Sequence, residues 1–425
     1  MKRQGFYMFF FIPVFSACLE SPTMTTGIVN GKEKPTVETE FINPIPNDGI
    51  LFFQGTITDE GKSEIIETGF CWSTDSVNPG INGNVVTANT GDDKVFSYNL
   101  KGASGEKTYY WRAYAKNSYG YDFGKVDSCR TPQIWEEKEP LNTLGRGRAA
   151  VFILNDKIYI TCGELESASG PINSNWEYSI TNNRWFLLEN FSGEARRYPV
   201  EFTIGNYAFV GTGQRAAGVA FNDFYRYDNT SDSWTSIDVP NDLVARFNAV
   251  AFSINGKGYV VGGSSATGEN LNDVWQCDTE NNSWQKKNDF PVKFYGGINI
   301  CDSNRAFAGF GEASGTEKTL WEYNDETDSW SIFSTLPDEV VKKISSGVII
   351  GNTIYIVDGS NTIWTCDMSD EIKTWKPKTV LPYELLNKFG EAGNQLLLTT
   401  GKSNSIFVGL GFTPLLYEYR PLWDN

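Results

Sequence analysis

Short apolar runs alternate with turn-forming residues through the second two thirds of the chain. In residues 248–291, two apolar runs flank the turn Asn255-Gly256, and the second ends in Gly262-Gly263. A polar loop, a third apolar run and a turn of acidic, amide and hydroxyl residues then lead to Trp284. This order predicts a unit of four short strands joined by tight turns.

The same order recurs along the chain, and each unit ends in a tryptophan. An interval of 45–50 residues separates successive members of the series, which is Trp135, Trp185, Trp234, Trp284, Trp330 and Trp375. A fixed interval of this size is typical of repeat architectures. Each tryptophan is expected to open a fourth strand and to pack its apolar ring on a neighbouring sheet.

These units resemble the kelch repeat, in which a double glycine follows the second strand, an aromatic residue lies in the third and a spaced tryptophan in the fourth. Gly262-Gly263 is such a double glycine, and the other units carry the looser stretches "TCGE", "GTG", "GFG" and "DGS" in the same phase. The resemblance implies a β-propeller over residues 132–425. The last unit, residues 386–419, supplies only three strands, and residues 133–141 supply a fourth in phase with the others. The chain is therefore predicted to be all-β, with a six-bladed kelch-type propeller closed by its N-terminal strand.

Residues 35–131 show short alternating strands of a different kind. Tyr109, Trp111, Ala113 and Ala115 fall on one predicted strand face. The stretches "GFCWST" and "YYWRAYAKNSYG" resemble a fibronectin type III-like β-sandwich of the kind found in surface proteins of the Bacteroidota. The resemblance implies a spacer that carries the propeller, and direct ligand binding by this domain is the alternative.

Residues 1–17 are typical of a signal peptide, with Lys2 and Arg3 before an apolar stretch too short to span a bilayer comfortably. The following "FSAC" resembles a lipobox, which implies lipidation of Cys18 and a tether over residues 18–34. Because Leu19 is not aspartate, the resemblance implies the outer membrane, at the cell surface or on the periplasmic face. The alternative is an ordinary secretory signal in which Cys18 has no such role.

Composition excludes several classes of function. The net charge of −16 and a pI near 4.6 argue against nucleic-acid binding, which needs a basic face. The chain has no histidine, which excludes histidine-dependent triads, histidine bases and histidine-ligated zinc or copper. No metal and no other cofactor is predicted. Cys71 and Cys129 lie in one predicted domain, and spacing leaves open whether they pair.

A cation precedes the predicted first strand of every blade. In the kelch family the loops at this point line the mouth of the central channel, so the resemblance implies that the cations converge there and attract an anion. The cations are Arg148, Arg197, Arg246, Lys293, Lys343 and Lys388, and the aromatic residues that follow four of them are Tyr198, Phe247, Phe294 and Phe389. The alternative is a structural role, in which these cations pair with Glu164, Glu194, Glu312 or Glu391.

Three functions are consistent with this pattern. The first is a membrane-anchored binding protein whose propeller mouth captures an anionic or glycan ligand or a protein segment without chemistry, and the absence of any activated nucleophile or metal motif favours it. The second is a sugar isomerase, because some bacterial kelch propellers interconvert the anomers of sialic acid; Glu391 is then the candidate base. The third is an adhesive module that mediates protein assembly.

Overall fold

The computed structural model describes residues 33–40, 49–165, 170–216, 218–281, 283–312, 317–341, 343–386, 396–399 and 404–424. The predicted signal peptide, Cys18 and nearly all of the tether lie outside the described residues. The described chain is all-β apart from one short α-helix, α1 (Tyr383–Leu386), and one 3₁₀ turn, Pro421–Trp423. No helix in these ranges is long and apolar enough to cross a membrane.

The chain divides into two compact units, and most of the residues from Phe53 to Asp127 belong to the first. The strands of residues 36–130, in chain order, are β1 (Thr36–Glu40), β2 (Ile50–Asp59), β3 (Glu67–Ser73), β4 (Asn84–Thr87), β5 (Val95–Lys101), β6 (Thr108–Asn117), β7 (Gly120–Phe123) and β8 (Asp127–Arg130). They form one sheet in the order β1-β2-β5 and a second in the order β4-β3-β6-β7, in which β8 also pairs with β6.

Aromatic side chains from both of these sheets meet in one core. Phe53 of β2 stacks on Trp111 of β6 with ring centroids 4.9 Å apart, and Phe70 of β3 contacts Phe96 of β5 at 5.3 Å. The alternation along β6 buries Tyr109, Trp111, Ala113 and Ala115 on the core side. Neither Cys71 nor Cys129 takes part in a disulfide bond, so the pairing left open by the sequence does not form in this structure.

The second unit contains the chain from Ser128 onward. Its first strands in chain order are β9 (Trp135–Lys138), β10 (Arg146–Gly147), β11 (Ala150–Leu154), β12 (Lys157–Thr161), β13 (Glu164–Leu165), β14 (Asn175–Ser179), β15 (Arg184–Leu188), β16 (Val200–Ile204), β17 (Tyr207–Gly211), β18 (Gln214–Ala216), β19 (Val219–Ala220), β20 (Phe224–Asp228) and β21 (Ser233–Ile237). The remaining strands are β22 (Arg246–Phe247), β23 (Val250–Ile254), β24 (Lys257–Ser265), β25 (Asn270–Asp278), β26 (Ser283–Lys287), β27 (Ile298–Cys301), β28 (Ala306–Gly309), β29 (Thr319–Asn324), β30 (Ser329–Thr335), β31 (Ser346–Ile350), β32 (Thr353–Val357), β33 (Thr362–Asp367), β34 (Trp375–Val380), β35 (Leu396–Thr399), β36 (Ile406–Gly409) and β37 (Leu416–Tyr419).

Most of these strands form antiparallel sheets that repeat one order. Within the described residues the successive sheets are β11-β12-β14-β15, β16-β17-β20-β21, β23-β24-β25-β26, β27-β28-β29-β30, β31-β32-β33-β34 and β35-β36-β37-β9. In the last sheet β9 pairs with β37, so a strand from the start of the unit is the fourth strand of the sheet at its end. The short strand β22 also pairs with β24, beyond the end of β23.

The first strands of successive sheets contact one another in a closed series. β11 contacts β16, which contacts β23, and the contacts continue through β27, β31 and β35 back to β11. Apolar side chains fill the spaces between neighbouring sheets; one such cluster combines Phe202 of β16 with Val260 of β24 and Trp275 of β25. Because every sheet is covered on both faces, its strands can be apolar on both sides.

The repeated tryptophans join neighbouring sheets. In three repeats the indole N–H donates to a backbone carbonyl oxygen of the preceding sheet. The carbonyl belongs to the residue directly after the fourth strand of that sheet. The donor–acceptor pairs are Trp185 to Glu139 at 2.8 Å, Trp234 to Glu189 at 3.3 Å and Trp284 to Asp238 at 3.0 Å. A buried indole N–H normally needs an acceptor, so the apolar ring and its polar edge both fix the position of the next sheet.

Candidate functional site

A cavity of about 920 Å³ lies between the first strands of these sheets. All six first strands contribute to its wall. Representative wall residues, one from each strand, are Val151, Glu201, Ser253, Asn299, Gly347 and Leu398. A cavity of this size, bounded by rigid strands, is the usual form of a ligand site.

The segments before the first strands form the rim of this cavity. Four residues occupy equivalent positions in the rim, each with a backbone φ between 52° and 64°. They are Arg148, Tyr198, Asn248 and Gly296. The Tyr198 N–H donates to the Arg148 carbonyl oxygen at 2.8 Å, and the Gly296 N–H donates to the Asn248 carbonyl oxygen at 2.9 Å. Hydrogen bonds between units therefore hold these left-handed turns in place, although the conformation is uncommon for residues other than glycine.

Pairing with the loops after the second strands fixes the register of the rim. In four units, one residue of the rim segment pairs with one residue of that loop. The pairs are Gly147 with Glu164, Arg197 with Gln214, Phe247 with Ser264 and Tyr295 with Glu312. Arg148, Arg197 and Arg246 therefore occupy three successive structural positions, and the prediction that they share one position is wrong.

Arg246 lies in the protein interior instead of the rim. Its side chain has no solvent exposure. Both terminal nitrogens bond to the Asp273 carboxylate at 2.7 Å, and Nε donates to the Val244 carbonyl oxygen. Arg196 makes the same arrangement with Asp223 one unit earlier. These arginines fasten a rim segment to the start of a third strand, and so Arg246 belongs to the scaffold.

Arg148 and Arg197 lie together at the rim. Both guanidinium groups bond to the carboxylate of Glu164, with 2.8 Å between Arg197 Nη1 and Glu164 Oε2. The Arg148 guanidinium also lies over the rings of Tyr198 and Phe412, 4.9 Å and 5.7 Å from their centroids. Two cations and one carboxylate leave a net positive charge at this part of the rim, and the stacking holds it in a fixed orientation.

The other predicted site residues are distributed unevenly. Lys343 is exposed and lines the cavity, whereas Lys293 is paired with Glu269 away from the lining. Phe294 is only 2% exposed and packs in a core cluster, and Phe247 is half-buried with its ring 6.3 Å from that of Tyr198. Lys388, Phe389 and Glu391 lie outside the described residues.

Comparison with known families identifies the repeat. The KLHDC2/KLHL20/DRC7 kelch-repeats domain matches residues 147–359, which is half of the chain. The chain belongs to the kelch-repeat family. Among solved structures, that of YjhT is similar to this kelch chain at a TM-score of 0.47 and 17% sequence identity, with 64% of this chain and 92% of YjhT covered. No curated protein matches the chain.

Charge at the kelch rim is mixed in sign. Tyr295 donates its hydroxyl proton to the Glu312 carboxylate at 2.5 Å, and this hydrogen bond raises the pKa of Tyr295. Glu312 and Glu317 line the cavity together with Arg148 and Lys343. The rim therefore presents both acceptors and donors of charge-assisted hydrogen bonds, and the predicted ring of cations alone is not what these residues form.

Glu201 is the charged side chain that sequence reasoning missed in the cavity wall. Residues 200–203 of β16 all line the cavity. Val200 and Phe202 are buried in a core cluster, whereas Glu201 and Thr203 alternate with them and are only half-buried. Burial raises the pKa of Glu201 to about 8. The signal in the sequence was the glutamate within "VEFTI", a strand otherwise free of charge, since the equivalent strands read "AVFIL" and "VAFSI".

Proposed function

We propose that this protein is an extracytoplasmic binding protein whose cavity mouth captures an anionic or glycan ligand or a protein segment without chemistry. A protein segment is the ligand that the mixed charge of the rim favours, because peptides carry both signs of charge beside apolar and aromatic groups. The observation that carries the proposal is Arg148, stacked on Tyr198 at the rim of the cavity and held there by Glu164.

Several features support binding at this rim. The backbone hydrogen bonds between units make the rim rigid before a ligand arrives, which reduces the entropy lost on binding. Aromatic residues and arginine are the side chains that most often dominate binding energy at interfaces. Tyr198 and Arg148 therefore form the expected centre of the contact.

The proposal includes the architecture and location read from the sequence. The propeller has six blades, the unit before it is a fibronectin type III-like spacer, and a lipid on Cys18 anchors the chain to the outer membrane. The closed series of first strands and the pairing of β9 with β37 support the blade count. Radiolabelled palmitate incorporated into the wild-type chain and absent from Cys18→Ser tests the anchor.

A binding screen tests the proposed function directly. The soluble chain, residues 19–425, is applied to a random peptide library and to a glycan array that contains neutral and acidic sugars. We expect selective peptide binding that falls about tenfold or more in Arg148→Ala and in Tyr198→Ala. Arg184→Ala is the matched control, because Arg184 is an exposed cation on the fourth strand β15.

Two other outcomes would change the assignment. Selective binding of acidic sugars, lost in Arg148→Ala, would make the ligand a glycan. Binding that is unchanged in both rim variants would exclude this rim as the site. Sialic acid is included with its anomer exchange followed by NMR, since faster exchange would establish the sugar isomerase activity instead of simple capture.

A further inference from the structure

Glu201 is a carboxyl group that faces a cavity without a partner from the protein. It follows the rim residue Tyr198 by three positions along the chain and lines the cavity from β16. No residue in the described ranges forms an ion pair or hydrogen bond with its carboxyl group, and only burial shifts its ionisation. Glu201 is half-buried, and a carboxyl group that is partly withdrawn from water without a partner is uncommon because its charged form is costly to desolvate.

Among the described residues, the strands around Glu201 carry no cation that could compensate its charge. The flanking first strands β11 and β23 have no titratable side chain, and neither have β31 and β35. Across the cavity β27 contributes Cys301 to the lining. In the sheet of Glu201 itself, β17 pairs with β16 and carries Tyr207, which is not part of the lining. The other charged groups that line the cavity among the described residues are Arg148, Glu312, Glu317 and Lys343.

We propose that the cavity wall at Glu201 binds an alkylammonium group, such as the end of a lysine side chain, through a charge-assisted hydrogen bond to the Glu201 carboxylate. This inference rests on the proposed use of the cavity for ligand capture and names the group that enters it. An ammonium ion supplies the positive charge that the described strands of the wall do not carry. A carboxylate or phosphate would meet repulsion or an uncompensated desolvation cost at the same place.

Proton release accompanies this binding. Glu201 is largely protonated in the empty cavity at neutral pH, because burial raises its pKa to about 8. An ammonium ion beside it stabilises the ionised form, so binding expels about one proton to the solvent at pH 7 and fewer at pH 9. Affinity therefore rises with pH through this range, whereas binding of a neutral ligand would not follow the ionisation of Glu201.

The test uses n-butylammonium as a probe of the lysine side chain and n-butanol as its neutral counterpart. Residues 19–425 are titrated with each by saturation-transfer NMR, and calorimetry in two buffers of different ionisation heat counts the protons released. We expect binding of n-butylammonium in preference to n-butanol and an affinity loss of about tenfold or more in Glu201→Gln. Glu280→Gln is the matched control, since that carboxylate is exposed in the turn between β25 and β26 and does not line the cavity.

The results separate this inference from the proposed function. Equal binding of n-butanol, equal binding to Glu201→Gln, a pH-independent affinity of the wild-type chain or no binding at all would each overturn the ammonium site. The pH series on the wild-type protein stands even if Glu201→Gln folds poorly. If the ammonium site fails, peptide binding that depends on Arg148 and Tyr198 would still support the proposed function. If n-butylammonium binds but no peptide does, the ammonium site stands and the proposed function is wrong.

Discussion

The Arg246 guanidinium and the Asp273 carboxylate form a two-pronged ion pair, with both nitrogen–oxygen distances at 2.7 Å and no exposure of the arginine side chain. Burial alone would raise the pKa of Asp273, but the hydrogen bonds and charge of Arg246 outweigh it and hold the pKa below its ordinary value. The pair connects the rim segment that contains Arg246 to the third strand of the same sheet, β25, which contains Asp273. It therefore stabilises the shape of the rim without facing the ligand.

Replacing Arg246 is expected to destabilise the propeller. In Arg246→Ala the Asp273 carboxylate stays half-buried without its partner, and breaking such a pair costs about 3–5 kcal/mol in the free energy of unfolding. Urea denaturation of the variant against Arg184→Ala, an exposed cation, measures this loss. A variant that keeps its stability but loses ligand binding would restore Arg246 as a ligand-binding residue.

The sheet β11-β12-β14-β15 has an arginine at the position of Arg246 but no acid at the position of Asp273. Adding the missing acid there tests whether the ion pair stabilises the fold. Ser174 occupies the position of Asp223 and Asp273, as the pairing of the third strands shows. Among the described residues, Arg146 bonds there to the carbonyl oxygens of Cys162 and Ser174, the latter at 3.0 Å, and burial lowers its pKa to about 10. Ser174→Asp should raise the free energy of unfolding by about 1–3 kcal/mol. Ser174→Asn, which has the same shape without the charge, should not, and a less stable aspartate variant would show that the carboxylate does not reach Arg146.

The tryptophan contact between sheets can be tested with two identical substitutions. Trp185→Phe removes a hydrogen bond to Glu139, whereas the buried Trp330 indole N–H has no acceptor among the described residues. We expect the first substitution to cost about 1 kcal/mol more than the second in thermal or urea unfolding, because each loses a similar apolar area but only one loses the bond. Equal losses would mean that packing alone fixes the neighbouring sheet.

The ionisation of Glu201 makes stability depend on pH. Its pKa is raised to about 8 in the folded chain and is about 4.3 in the unfolded chain, so the native state holds a proton that the unfolded state has released. The contribution of Glu201 to the free energy of unfolding should therefore be most favourable below pH 4.3. It should fall between pH 4.3 and pH 8 and stay constant above pH 8. Glu201→Gln lacks this dependence, and its stability relative to wild type should rise across that interval in urea denaturation at successive pH values. A constant difference would contradict an unpaired carboxyl group that is half-withdrawn from water.

Local chemistry in the sequence was enough to predict the repeat. Turns built from Asn, Asp, Gly and Ser define the strand ends, and apolar runs of fixed length define the strands. The tryptophans recur at nearly regular intervals, which is why the resemblance to the kelch family is visible in the sequence itself. The all-β fold follows from these short-range preferences.

Register at the rim could not be read from the sequence in the same way. In the sequence, the pattern of a cation followed by an aromatic residue places Arg197, Arg246 and Lys293 at one position. In the structure, pairing with the loops after the second strands instead makes Arg197 equivalent to Phe247 and Tyr295. A shift of one position exchanges a buried site for an exposed one. Only the tertiary contacts decided that Arg246 is a scaffold residue and Arg148 a rim residue.

The cavity is likewise a property of the assembled sheets. Glu201 and Cys301 are about a hundred residues apart, yet the closed series of first strands brings both to the same cavity wall. The sequence by itself determined the strands, their turns and the repeat, because those depend on neighbouring residues. The structure alone decided which side chains share a cavity, a partner or a solvent-free site, because burial and charge pairing depend on residues that are distant along the chain.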